Sequence, residues 1–201
     1  IDAQGNGRVF DVQSVKALTV RDLTLRGGNV VTATDGIVPD WGGGLRYYCG
    51  EGQSCTGLLT NVTLVNNQAG EGGGFAMYCY VDTTCTTTLI DTAVIGNEAQ
   101  RGGGISGGFD EENFAYALQV TNSVVEGNRA ELGGGIFLRG ATLTATNSTI
   151  RDNVATSGGG LALVSSEYYL HVNIQSSTLS GNTATQRGGA IYVRSTDPGD
   201  V

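Results

Sequence analysis

The chain has 201 residues, 39% of them hydrophobic and only two of them proline, which suits a folded protein without a Pro-rich linker. Its formal net charge of −8 argues against nucleic acid, whose phosphates call for clustered Lys and Arg. No run of about 18 apolar residues occurs, so no segment reads as a membrane-spanning helix.

In chain order, the first element is the alternating stretch ALTVRDLTL (17–25), a strand signal. Glycine triplets then begin at 42, 72, 102, 133, 158 and, as Gly-Gly-Ala, at 188, in steps of 30, 30, 31, 25 and 30 residues. An Asn with Ala two residues later precedes the last five of them, at Asn67, Asn97, Asn128, Asn153 and Asn182. Between triplets the sequence is rich in Thr, Val, Ile, Leu and Ser, as in ATLTATNSTI (141–150) and HVNIQSSTL (171–179). No window sustains a 3.6-residue apolar period, so the repeat is built from strands. The shortest unit, 133–157, holds three short strands and a polar turn in 25 residues. That describes one coil of a right-handed parallel β-helix, with coils stacked about 4.8 Å apart. The expected fold is all-β, a single domain over residues 1–201 with about six coils.

Stacked coils put like residues in like columns. Alignment on the Asn yields Leu25, Leu64, Val94, Val125, Ile150 and Leu179 in one apolar column. Leu59, Leu89, Val120, Ala145 and Ile174 form a second, and Leu45, Phe75, Ile105, Ile136, Leu161 and Ile191 a third. The Asn column predicts an amide ladder at a turn, where Asn tolerates left-handed backbone. The glycines predict positive φ and close coil-to-coil approach. A second polar column, Asp22, Asn61, Asp91, Asn122, Asn147 and Ser176, predicts another corner. The sequons at Asn61 and Asn147 fall in it and read as turn residues. Gly102–Gly107 matches G-x-G-x-x-G, but a repeated turn running on into strand is the wrong context for dinucleotide binding.

Four units carry extra residues between their first and second strands, at 47–57, 78–87, 106–117 and 164–172, which predicts a ridge along one edge. A further insertion, 30–41, lies at the Asn–glycine corner. Two insertions contain Cys-x5-Cys, Cys49/Cys55 and Cys79/Cys85. Pairing within each loop and pairing across coils (49–79, 55–85) both fit disulfide distances. The spacing is wide for zinc, so the cysteines read as disulfides formed in an oxidising compartment.

A polysaccharide-cleaving β-helix would show clustered carboxylates on adjacent coils. The outward columns Arg46, Ala76, Ser106, Phe137, Ala162, Tyr192 and Tyr48, Tyr78, Gly108, Arg139, Val164, Arg194 contain none. No catalytic residue is therefore assigned. His171 has no nucleophile partner and reads as structural. Asp110, Glu111 and Glu112 form a solvated acidic tip, with weak Ca²⁺ binding as the alternative; no other metal or cofactor is expected. A Thr column four residues before the Asn (Thr24, Thr63, Ala93, Val124, Thr149, Thr178) is broken in the middle, which disfavours an ice-binding surface there. Aromatics gather near the ridge as Trp41, Tyr47, Tyr48, Tyr78, Tyr80, Tyr168 and Tyr169. Such rings suit glycan or protein contact, because each joins an apolar body to a polar tip.

The pattern resembles the polymorphic outer membrane protein repeats and related β-helix repeats of large bacterial surface proteins, marked by G-G-A-[ILV] and F-x-x-N. Gly188-Gly189-Ala190-Ile191 reproduces the first motif. Leu64–Asn67, Val94–Asn97, Val125–Asn128, Ile150–Asn153 and Leu179–Asn182 carry the second with an aliphatic residue for Phe. The opening IDAQGNGRVFDV is similar to the first coil of secreted pectate-lyase-like β-helices. The resemblance implies an extracellular or cell-surface location. The function expected is a non-enzymatic structural or adhesion module that binds glycan or protein through its inserted loops. The alternatives are a polysaccharide lyase or glycoside hydrolase, and a self-assembling or ice-binding solenoid. The terminal sequence reads as uncapped repeat, so the chain is expected to be part of a longer protein or to contact other copies end to end.

Overall fold

A computed structural model describes residues 1–31, 40–80, 82–108, 115–165 and 170–195. Every strand pairing in its three sheets is parallel, and the chain is a parallel β-helix. One sheet has seven strands in chain order: Phe10–Gln13, Leu45–Cys49, Phe75–Cys79, Ile105–Gly107, Ile136–Arg139, Leu161–Ser165 and Ile191–Ser195. Each strand pairs with its equivalent from the repeat before, because the intervening chain makes one full circuit and returns in register.

The ten-stranded sheet begins with Ala17–Arg26 and Ser54–Val65, which run unbroken through the corner at Asp22 and Asn61. In later repeats the same corner divides the strand, as between Thr84–Ile90 and Ala93–Ile95. All six residues of that polar column adopt positive φ, between 50° and 54°, so its Asp, Asn and Ser are where the left-handed turn is made. Asn61 Nδ2 also donates to Asp22 Oδ1 at 2.8 Å.

The third sheet departs from the sequence reading. Arg129–Leu132, Val154–Ser157 and Thr183–Arg187, expected as polar turn, are strands. Their alternation is hidden by polar outward residues and by the small inward Ala130 and Ala155, which stack on one another. In earlier repeats the same path makes only isolated bridges, Gln68↔Glu98 and Glu71↔Arg101.

The three apolar columns run in register through the interior, as in Leu64↔Val94↔Val125↔Ile150 and Leu45↔Phe75↔Ile105↔Ile136. All eight of these side chains are fully buried, and burying each adds about 1.5–3 kcal/mol. Phe10 extends the third column by one place, opposite Leu45.

The Asn ladder forms inside this column. Asn128 Oδ1 accepts from both the backbone N–H (2.8 Å) and Nδ2 (3.0 Å) of Asn97, while Asn128 Nδ2 donates to Val94 O and Asn153 Oδ1. The same set recurs from Asn67 to Asn182, and Gly28 N–H donates to Asn67 Oδ1 at the start. The left-handed backbone expected at these Asn lies one residue earlier, at Asn66, Gly96, Gly127, Asp152 and Gly181. That turn swings the Asn side chain inward, where its amide satisfies backbone groups that water cannot reach.

Candidate functional site

Both disulfides close within their own loops, Cys49–Cys55 and Cys79–Cys85, with Cα atoms 6.0 and 6.3 Å apart. They stack, since Cys49 pairs in register with Cys79 and Cys55 with Cys85. All four cysteines are buried, so the bridges join two sheets across the interior instead of pinching the ridge from outside. Each bridge fixes the short connection that carries a seven-stranded-sheet strand into the ten-stranded sheet.

Those connections frame the outward face of the seven-stranded sheet. Its strands alternate, sending Tyr48 and Tyr78 out and Tyr47 in. Tyr47 therefore leaves the expected binding set. Its ring is fully buried against Gly57, where an added Cβ would lie 3.3 Å from it, and its hydroxyl donates to Val15 O at 2.6 Å. Burial raises the Tyr47 phenol above its ordinary pKa.

The other aromatics come together. Tyr78 stacks on Trp41 (centroids 4.6 Å apart, planes at 16°) and on Tyr48 (5.3 Å, 10°), and Tyr80 tilts against it at 6.5 Å. All four are half-buried. Tyr168 and Tyr169 lie outside the described residues, as do Asp110, Glu111 and Glu112.

Carboxylates do reach this face, from places the outward columns did not include. Asp11 heads the first column opposite Arg46, which grips it bidentately at 2.8 and 2.9 Å. Arg8 approaches the same carboxylate at 3.4 Å and donates Nε–H to Trp41 O, which ties this ion cluster to the aromatic stack. Burial, then the charge of Arg46, lowers the Arg8 guanidinium pKa, with Asp11 opposing. The second carboxylate, Glu71, pairs with Arg101 and accepts from Ser106 Oγ at 3.3 Å. Glu71 stands immediately before its glycine triplet, in a register column with Trp41, Arg101 and Leu132. A sequence alignment on the glycines rather than on the Asn exposes that column.

Farther along, the face turns apolar: Phe137, Ala162 and Val164 are buried beneath Leu132 and Tyr192, with Arg139 over the Phe137 ring. On a different side, a groove of about 350 Å³ runs along the Asn–glycine path, lined by Ala69, Ala99 and Ala130 with Glu98, Arg129 and Glu131. Among the described residues, no group of three or more His, Cys, Asp or Glu is placed to hold a metal ion. His171 stands exposed on strand His171–Gln175. Among the described residues no helix is long and apolar enough to cross a membrane, a statement that does not bear on β-barrels.

Neither a curated protein nor a solved structure matches the chain. Residues 176–194 match the family model of the Chlamydia polymorphic membrane protein repeat. The match runs from the corner residue Ser176 through Asn182 to the Gly-Gly-Ala-Ile tetrapeptide and the strand beyond it. The chain is thus a parallel β-helix whose last Asn–glycine unit is similar to the repeat of that surface-protein family.

Proposed function

We propose that the chain is a non-enzymatic module of a bacterial cell surface, and that it holds a glycan or protein on the outward face of its seven-stranded sheet. The observation that carries this reading is the Trp41–Tyr78–Tyr48 stack with Tyr80 beside it, positioned by disulfide-closed connections. Stacked, half-buried rings offer apolar area at little entropic cost, and the Arg101–Glu71 pair beside them supplies donors and acceptors. The match to a membrane-protein repeat and the two disulfides support an extracellular location. Both carboxylates described on the face are held by arginine, which favours binding over acid–base chemistry.

A glycan array combined with pull-down from neighbouring or host cells tests the proposal. The expected result is a ligand whose retention is lost in Tyr78→Ala and Trp41→Ala and kept in a variant of the opposite sheet, Thr144→Ser. Turnover of an acidic polysaccharide, abolished by Asp11→Asn or Glu71→Gln, would replace this reading with a catalytic one.

A further inference from the structure

The broad face of the ten-stranded sheet, ahead of its corner, does not take part in the site above. Register places three outward rows on it. Thr19, Thr88 and Thr144 share the middle row with Leu58, Gln119 and Asn173. Thr60, Thr121 and Thr146 share the row beside the corner with Arg21, Ile90 and Gln175, and Thr56, Thr86 and Thr142 share the row on the far side with Ala17, Ala117 and His171. The threonine column that the Asn alignment singled out lies past the corner and is interrupted by Ala93 and Val124; this lattice lies before it.

Three properties distinguish this face. Its positions are regular in two directions, with neighbours about 4.8 Å apart across strands and about 6.6 Å along them, and threonine fills three of the six places in each row. It is nearly uncharged: its only titratable members are Arg21 and His171, on the first and last strands, in a chain with 30 Asp, Glu, Lys and Arg. It is also open and stiff. Every outward residue is exposed or half-buried, and β-branched threonine has few rotamers to lose. Apart from Thr88 Oγ1, which donates to Gln119 Oε1 at 3.3 Å, these hydroxyls make no bond among the described residues.

An occupant has to match that lattice without charge and without much apolar area. A second protein fits poorly. The face spans about 24 by 13 Å, roughly 300 Å², against about 800 Å² per partner in a stable interface. Its larger aliphatic members are only Leu58 and Ile90, and it has no aromatic ring. Ordered water is periodic in two dimensions, neutral, and bound by hydroxyls and methyls at fixed spacing; the two spacings here lie close to oxygen repeats of hexagonal ice. We propose that this face binds ice. The hydroxyls would occupy water positions in the lattice, and the threonine methyls would fill the hollows between them.

The proposal is independent of the aromatic face and is tested on the intact chain. Fluorescently labelled protein is offered to a growing ice hemisphere, and thermal hysteresis is read by microscopy of single ice crystals. The expected results are a coated hemisphere, faceted crystals and a measurable hysteresis gap. Thr88→Lys and Thr144→Lys, which plant charge in the lattice, should abolish all three while leaving the circular dichroism spectrum and unfolding temperature unchanged. Thr63→Lys, past the corner, should retain them. Exclusion of the wild-type chain from ice would overturn the proposal, as would undiminished hysteresis in folded Thr88→Lys.

Discussion

Asn128 shows what a single buried amide can hold. Its side chain satisfies two donors of Asn97 and uses two acceptors, Val94 O and Asn153 Oδ1. Asn128→Ala orphans these groups in the interior and is expected to cost about 3–4 kcal/mol in a denaturant titration. At half-buried Asn182 the same change is expected to cost about 1 kcal/mol, because water replaces the lost partners. The tyrosines supply a second residue-scale expectation. Burial holds the phenols of Tyr47 and Tyr116 above their ordinary pKa, with the Thr87 hydroxyl opposing at Tyr116. An unfolded chain ionises them near pH 10, whereas the folded chain retains their protons to higher pH. Their contribution to stability is therefore complete below about pH 10 and lost as the pH rises beyond it. An ultraviolet titration of the eight tyrosines should show two phenolates appearing only with loss of the β-sheet signal. The ladder was legible because the Asn recurs at the repeat length. Its left-handed turn was not, although the residues one position earlier are Asn, Gly, Gly, Asp and Gly, the types that tolerate it.

Elements depend on how little room the corners leave. At the triplets the first glycine takes positive φ, +64° at Gly133, and the second has no space for a side chain: a Cβ on Gly134 would lie 2.5 Å from Gly159 O. Gly134→Ala should therefore destabilise more than the usual penalty of about 1 kcal/mol for a substitution, since only backbone could give way. Each disulfide closes a loop of six-residue separation, and replacing Cys79 and Cys85 by Ser is expected to cost about 2 kcal/mol, read as a lower unfolding temperature. Strand order and the apolar columns could be read from periodicity, because a solenoid converts repeat spacing directly into register. The strand Arg129–Leu132 could not, since backbone bonds to one paired strand and to isolated bridges on its other side hold it without an apolar face. For the same reason the outward columns read from the sequence leave out Glu71, the partner of Ser106 and Arg101.

The whole molecule is an interior column with two differently furnished sides, one aromatic and ionic, the other flat and neutral. Its ends differ as well. Every carboxamide oxygen in the ladder faces the preceding repeat and every amide hydrogen shared between repeats faces the next, from Asn67 to Asn182. The stack is therefore vectorial. The first ladder Asn, Asn67, receives a backbone N–H alone from Gly28, where a side chain is impossible because a Cβ would fall 1.9 Å from Gly43 O. At the other end of the ladder Asn182 Nδ2 donates to Ile150 O, Val193 and Ile191 are exposed nearby in sequence, and no further ladder Asn follows among the described residues. Fusing one more Asn-bearing repeat beyond residue 195 should raise the unfolding temperature, whereas the same repeat ahead of Ile1 should not. A column assembled from near-identical units thus reads in one direction only, and its two ends are not interchangeable bricks.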